Sequence, residues 1–372
     1  MVGTRGVPAR YGGFETAVEE VGRRLAERGH DVVVYCRTAP DAEGPAPDEH
    51  LGMRLVHLPA VRQKAAETLT HTALSVAHVA RHGADVVLLF NAANACFLPV
   101  LRARGLPTAV HVDGLEWRRG KWGPLGRRWY LASERAAVRL ADALISDAEG
   151  IAAYYRETYD APSVVIPYGA PLLEADDGAR LAELDVEPGG YALVVARFEP
   201  ENHVAEIVEG YACSSASRPL LVVGGAPYAD EYTERVRAAA GGDARVRLLG
   251  GVWDQQQLDQ LYGNAFLYLH GHSVGGTNPS LLRAMGAGTS TLAHDNPFCR
   301  EVLGTTGRFF VDPGDVAAQV DAAEREPDAV TADGDAARRR AAEAYVWDDV
   351  ADGYERLCEG LAARARRRSV RR

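Results

Sequence analysis

Short apolar runs alternate with amphipathic stretches along almost the whole chain. The β-rich runs read as strands at Val32–Cys36, Arg54–Leu58, Val86–Phe90, Thr108–Val112, Ala143–Ser146 and Val164–Ile166. A second series follows at Tyr191–Ala196, Leu220–Val223, Val246–Leu249, Phe266–Leu269 and Ser290–Ala293. Helical periodicities lie between them. Phe14–Arg28 is one, with Phe14, Val18, Val21 and Leu25 on a single face and Gly29 placed to end it. Strand–helix alternation predicts parallel sheets covered by helices on both faces, and two series predict two doubly wound α/β domains. The break falls at Pro167–Pro171 and the acidic, glycine-containing segment up to Gly190. The expected layout is therefore a first domain over 1–166, a hinge over 167–190 and a second domain over 191–346. After Val311-Asp312-Pro313 only helical patterns remain. Trp347-Asp348-Asp349 caps a last helix carrying Val350, Tyr354, Leu357 and Leu361. That helix, 347–363, needs a surface to cover and is expected to return to the first domain, ahead of a basic tail over 364–372.

The start of the chain breaks the pattern. Gly3-Thr4-Arg5-Gly6 reads as the loop after a first strand, yet only Met1-Val2 precede it. A doubly wound domain places that strand near the middle of its sheet. Either the sequence begins downstream of the strand or the strand is cut severely short.

Composition narrows the function classes. The 372 residues are 47% hydrophobic and 25% charged, with net charge −10 and a pI of about 5.6. That balance gives no support to a nucleic-acid-binding role. No apolar run approaches the ~18 residues that span a bilayer. MVGTRGVPAR lacks the apolar core of a secretory signal, and Cys36, Cys96, Cys213, Cys299 and Cys358 form no CxxC pair. Neither a disulfide framework nor a zinc site is suggested, and a reducing cytoplasm is expected. The charge is uneven. Residues 364–372 hold six arginines, and Trp117-Arg118-Arg119-Gly120-Lys121-Trp122 with Arg127-Arg128-Trp129-Tyr130 mixes cations with aromatics. That mixture suits the headgroup zone of an anionic membrane, which makes a peripheral site on its inner face one expectation. A solvated tail and an ordinary basic loop are the other.

Four constellations could carry chemistry. Gly275-Gly276-Thr277 runs into Asn278-Pro279-Ser280 and a helical pattern; Asn is a strong N-cap and Pro suits the first helical position. A capped helix start after glycines offers amides and a positive dipole end to a phosphate. The same pattern also serves an ordinary loop-to-helix turn. The first glycine loop, Gly3–Gly13, is not GxGxxG, so a dinucleotide fingerprint fits poorly; Gly12-Gly13 before a helix still allows close backbone approach. Arg197 follows a strand ending at Ala196, where α/β sheets bind ligands, and its planar fork suits phosphate oxygens as well as a surface salt bridge. His111, at the end of another strand, is followed by Asp113 and Glu116, three polar groups that suggest a catalytic cluster.

These segments together resemble the retaining glycosyltransferases of family 4, which have the GT-B fold, and most closely the subgroup that includes bacterial rhamnosyltransferases. The resemblance spans nearly the whole chain. It rests on GTRGVPARYGGFET at Gly3–Thr16, DGLEWRRGKWG at Asp113–Gly123, VVIPYGAP at Val164–Pro171, RFEPEN at Arg197–Asn202, HGHSVGGTNPSLL at His270–Leu282 and AHDNPFCREVL at Ala293–Leu303. It implies two Rossmann-like domains facing a cleft, with the nucleotide-sugar donor mainly on the second and the acceptor on the first. It implies no metal and no cofactor beyond the sugar nucleotide as co-substrate. Arg197 would hold the diphosphate, Gly12 and Gly13 would let a loop close over it, and His272, Gly276, Thr277, Asn278, Pro279 and Ser280 would complete the donor site. His111 matches the family's active-site histidine. Asp333-Gly334-Asp335 only superficially resembles a metal motif and is expected to start a helix.

Three positions depart from the wider family, which carries glutamates where this chain has Gly275 and Arg283 and a phosphate-binding lysine where it has Asn202. Arginine has no acceptor for ribose hydroxyls. Arg283 is expected to supply the missing cation from another direction. The activity implied is transfer of a sugar, rhamnose or another deoxysugar, to a glycan-lipid or natural-product hydroxyl. The alternatives are a catalytically silent nucleotide-sugar-binding protein of the same fold and an NDP-sugar epimerase.

Overall fold

Strands form where β-branched apolar runs lie between turn residues, and each helix turns one apolar stripe toward them. The computed structural model describes residues 1–9, 12–38, 47–61, 66–112, 114–120, 122–174, 178–225 and 230–370. The chain forms two compact units. One contains Met1–Trp117, Trp122–Tyr168 and Trp347–Arg372; the other contains Arg118–Lys121 and Gly169–Val346.

The first unit runs α1 (Gly13–Glu27), β1 (Val33–Arg37), β2 (Glu49–His50), β3 (Met53–Leu58), α2 (Ala66–His82) and β4 (Val87–Phe90). It continues with α3 (Leu98–Ala103), β5 (Thr108–His111), α4 (Pro124–Leu140), β6 (Ala143–Ser146), α5 (Glu149–Tyr159) and β7 (Val164–Val165). Strands β4-β5-β6-β7 form one parallel sheet, and β1-β3-β2 a second, with β2 antiparallel. Met1 and Val2 occupy the slot between them. Tyr35 N–H donates to the Met1 carbonyl at 3.1 Å, Val2 N–H to Leu88 at 2.9 Å, and Phe90 N–H to Val2 at 2.9 Å. The central strand position is thus held by two residues. α1 buries Ala17, Val18, Val21, Gly22 and Leu25.

The second unit is one six-stranded parallel sheet. In chain order its elements are β8 (Ala192–Val195), α6 (Val204–Cys213), β9 (Leu220–Val223), α7 (Asp230–Ala239), β10 (Val246–Gly250), α8 (Gln255–Gly263) and β11 (Leu267–His270). Then come α9 (Pro279–Ala287), β12 (Thr291–His294), α10 (Pro297–Leu303), β13 (Arg308–Phe310), α11 (Pro313–Arg325) and α12 (Pro327–Ala344). The strand order β10-β9-β8-β11-β12-β13 is the Rossmann order, with its reversal between β8 and β11. The expected fold class, two Rossmann-like α/β units, holds.

Several expectations need correcting. Residues from Gly169 onward belong to the second unit rather than to a hinge. Ala179–Leu184 forms a 3-10 turn whose Leu181 is buried with Tyr191, Leu193 and Leu261. Asp333–Asp335 lies inside α12, not at a helix start: Asp333 pairs with Arg308 at 3.1 Å, and Gly334 lets the helix approach the Gly288 carbonyl, where a Cβ would come within 2.1 Å. The last helix, α13 (Trp347–Val370), continues through most of the expected tail, because alanines and arginines are good helix formers. It packs on α1. Arg24 binds Asp348 at 2.7 Å, and Arg28 binds Asp352 at 2.7 Å and Glu355 at 2.6 Å, while Val350, Ala351, Tyr354 and Leu361 are buried. Among the described residues no helix is long and apolar enough to cross a membrane.

Candidate functional site

The strand-order reversal in the second unit leaves a crevice at the carboxyl ends of β8 and β11, where doubly wound sheets take their ligands. Arg197 follows β8, and the loop 271–278 follows β11 into α9. The two loops are zipped together. Ser273 N–H donates to the Glu201 carbonyl at 2.9 Å, and the His203 ring pairs with the Gly271 carbonyl at 2.8 Å. Only glycine fits at Gly271, where a Cβ would sit 2.0 Å from the Asn202 carbonyl oxygen. Asn278 caps α9, its side chain accepting from Ser280 N–H at 2.9 Å, with Pro279 at the first helical position and no acidic residue in the first turn. The start of α1 differs. Glu15 there accepts from Arg5 N–H at 3.0 Å, and Glu19 accepts from Ala9 N–H at 2.7 Å. The positive end of α1 already faces its own carboxylates, so α9 is the better anion site.

The cradle has a defined protonation pattern. Asn202 Nδ2 donates to the Arg197 carbonyl at 2.8 Å, so its Oδ1 faces His272 Nδ1, also at 2.8 Å. That oxygen can only accept, so His272 Nδ1 carries the proton and Nε2 is left as an acceptor beside Gly275. A Cβ on Gly275, which has φ 132°, would lie 2.9 Å from Nε2. Burial, then the charges of Arg119, His270 and Arg197, hold the His272 pKa well below its usual value. His270 is pushed down to about 3 by burial, then by His294. Arg119 reaches the same place. Its guanidinium lies 3.9 Å from Glu199 and 3.9 Å from Glu201, and 4.0 Å from where a Gly275 Cβ would be. Burial, reinforced by Glu199, raises the Glu201 pKa.

In the first unit His111 ends β5 and is 1% exposed, and among the described residues neither ring nitrogen has a hydrogen-bond partner. Aromatic rings wall it. Phe90 and Tyr168 stack at 5.5 and 6.0 Å, and Phe14 meets it edge-on at 5.1 Å. Burial pushes its pKa down to about 4, so the ring is neutral at physiological pH.

Two family models cover most of the chain: a glycosyl transferase 4-like domain matches residues 12–169, and glycosyl transferases group 1 matches 182–339. The chain belongs to the GT-B glycosyltransferases. Sucrose-phosphate synthase from Thermosynechococcus elongatus superposes with TM-score 0.80 at 22% identity, covering 97% of this chain and 96% of its own. Anabaena HepE, solved in complex with UDP-glucose, gives 0.74 at 14%, covering 95% and 98%. WaaG, a glycosyltransferase involved in lipopolysaccharide biosynthesis, gives 0.73 at 19%, covering 94% and 97%. No curated protein sequence matches the chain.

The glycosyltransferase brings Arg197, His272, Gly276, Thr277, Asn278, Pro279 and Ser280 to one crevice but uses some of them differently from expectation. Pro279 has no amide to offer, and Ser280 N–H is taken by the Asn278 cap. Asn202 is buried, with both ends of its amide spent on the Arg197 backbone and His272. Arg283 is not a spare cation, because it pairs with Asp259 on α8. Glu116 is buried and accepts from the Trp122 indole at 3.3 Å within its own loop. Asp113 lies outside the described residues. Gly12 sits at φ 110° before α1, where a Cβ would come within 2.2 Å of Glu15, and Gly13 opens the helix. Sequence reasoning missed Arg119, whose partners lie about 80 residues on, and the aromatic walls of His111.

Two substitutions test these roles. Asn202→Ala should cost about 1–3 kcal/mol in urea unfolding, because His272 Nδ1–H and the Arg197 carbonyl lose their partners. Asn202→Lys should cost a similar amount, since lysine has no acceptor for that N–H. A stable Asn202→Lys protein with tighter donor binding would show instead that the slot opens to phosphate. Arg283→Glu, facing Asp259, should lose no more than about 1 kcal/mol, as both side chains are partly exposed, and Asp259→Arg in the same chain should restore it. Unchanged stability with altered nucleotide affinity would move Arg283 to the donor.

Proposed function

We propose that the enzyme is a metal-independent, retaining glycosyltransferase that takes a sugar from a nucleoside-diphosphate donor. The observation that carries this is the α9 start. It is a capped helix terminus free of acids, at the strand-order reversal, with Arg197 and Arg119 beside it. Two guanidinium groups and a helix dipole can stabilise the charge that develops on a departing diphosphate, which is the task a metal performs elsewhere. Arg197 offers its fork to the phosphates. The loop at Gly275, Gly276 and Thr277 lets them approach the backbone, and neutral His272 presents an acceptor nitrogen to a sugar or ribose hydroxyl. In the first unit His111 serves the acceptor side as a neutral ring, contributing orientation and shape rather than charge. In a retaining transfer the acceptor hydroxyl attacks from the face the diphosphate leaves, so the diphosphate itself can receive the hydroxyl proton.

The donor is a deoxysugar nucleotide such as dTDP-rhamnose, and the acceptor a glycan-lipid at the inner membrane face, with a natural-product hydroxyl as the second choice. The HepE complex with UDP-glucose and the lipopolysaccharide role of WaaG support a sugar nucleotide and a lipid-bearing acceptor respectively. The test is turnover with a panel of UDP-, GDP- and dTDP-sugars, with and without EDTA, and NMR of the product's anomeric centre. Retained configuration with undiminished rate in EDTA is expected. An inverted product, or a rate abolished by EDTA, overturns the mechanism. Nucleotide binding without turnover across the panel would favour a silent binding protein.

A further inference from the structure

The outer face of α4 runs against the net charge of this acidic chain. Its inner face buries Tyr130, Ser133, Glu134 and Ala137, with Glu134 accepting from Tyr154 at 3.0 Å and Tyr159 at 2.8 Å. Its outer face carries Leu125, 80% exposed, and Trp129, 41% exposed, among exposed Arg127, Arg128, Arg135 and Arg139. The adjoining α3 adds Val100, 46% exposed, with Arg102 and Arg104 also exposed. From Val86 to Ala141 the carboxylates are Asp113, Glu116 and Glu134; the latter two are buried and Asp113 is not described. A chain of net charge −10 therefore shows cations alone around three exposed apolar side chains on the described surface of these two helices.

We propose that this α3–α4 face docks on an anionic phospholipid surface, with Leu125, Trp129 and Val100 entering the interface and the arginines lying among the headgroups. Trp at the interface and arginine stems that bury while their heads stay wet are the chemistry such a boundary selects. The face is apolar at several separate points among cations, which suits a fluid boundary. A rigid partner would need a matching pocket for each side chain. The inference takes the lipid-linked acceptor proposed above as its setting, but it makes a binding claim that needs no turnover.

The experiment is flotation of the full chain with vesicles of phosphatidylcholine alone and of equal parts phosphatidylcholine and phosphatidylglycerol. Wild type should float with the anionic vesicles only, and less at high salt. Arg127→Glu with Arg128→Glu should lower partitioning about tenfold or more, given the attraction each cation has for an anionic leaflet. Leu125→Ser with Trp129→Ser should lower it comparably while leaving salt dependence in place. All four positions are exposed, so melting temperature and donor turnover in solution should match wild type. Absent binding, equal binding to both vesicle types, or a charge-reversed protein that floats like wild type overturns the proposal. Binding to single-stranded RNA without vesicle binding also overturns it and assigns the face to nucleic acid. Failed donor turnover with intact flotation would count against the enzymatic reading alone.

Discussion

Taking the protein from about pH 7.5 to about pH 5 should remove about 4 kcal/mol of stability through His111 and His270 alone. Both rings are buried, and burial holds their folded pKa values at about 4 and about 3. An unfolded histidine titrates near 6.5. Between that value and the folded ones, the unfolded chain binds protons that the native state refuses. Stability is therefore complete above the unfolded pKa and falls as pH drops toward 4, by about 2 kcal/mol for each ring at pH 5. The loss is a large part of the ~5–15 kcal/mol that holds a typical domain together. Urea midpoints at the two pH values measure it. His111→Phe, which keeps a ring between Phe90 and Tyr168, should cut the first unit's share of the drop by about 2 kcal/mol. A flat midpoint across this range, or an unchanged drop in the variant, would show that the rings take up protons without unfolding.

Arg197→Ala should lower kcat/KM for the sugar nucleotide by about 100- to 1000-fold, the usual result of deleting one preorganised donor from a charge-stabilising site. Its side chain is 39% exposed and its contact with Glu199 is a long 3.7 Å, so melting temperature should not move. Arg119→Ala should behave differently. Its side chain is 9% exposed and stands between Glu199 and Glu201, so removing it strands buried acid without a cation. Turnover and stability should fall together, and Glu201→Gln should return part of the stability while leaving turnover low. Because the Glu201 pKa is already raised, the Arg119→Ala protein should lose stability as pH rises past the ordinary carboxyl range. Wild-type turnover in Arg197→Ala would remove this crevice from the donor site.

The parts legible in the sequence were those fixed by local chemistry. Ala143–Ser146, set between Asp142 and Asp147, and Leu220–Val223, set between Pro219 and Gly224, are strands at the expected bounds because short apolar runs between turn-forming residues admit little else. The Asn278 cap and the glycines before it follow from the residues alone. The strands that escaped notice, Glu49–His50 and Arg308–Phe310, are two and three residues long and too short to show a period. Side-chain roles were harder. Asn202 and Arg283 are assigned by His272 and Asp259, partners 70 and 24 positions away. Neither spacing carries a signal that helical or strand periodicity could expose. The position of His111 at a strand end was readable, but its neutrality was not, since that depends on rings from α1, β4 and Tyr168 closing around it.

Helix α13 belongs to the unit that begins with Met1, so the last helix of the chain completes the first unit. During synthesis, at about 5–20 residues per second, tens of seconds separate α1 from the segment that covers it. Throughout that interval Arg24 and Arg28 lack Asp348, Asp352 and Glu355, and the second unit can close on contacts of its own. The first unit is thereby the later of the two to gain its full set of contacts. A stop codon before Trp347 would injure the earliest-made half of the protein while sparing the half made just before it.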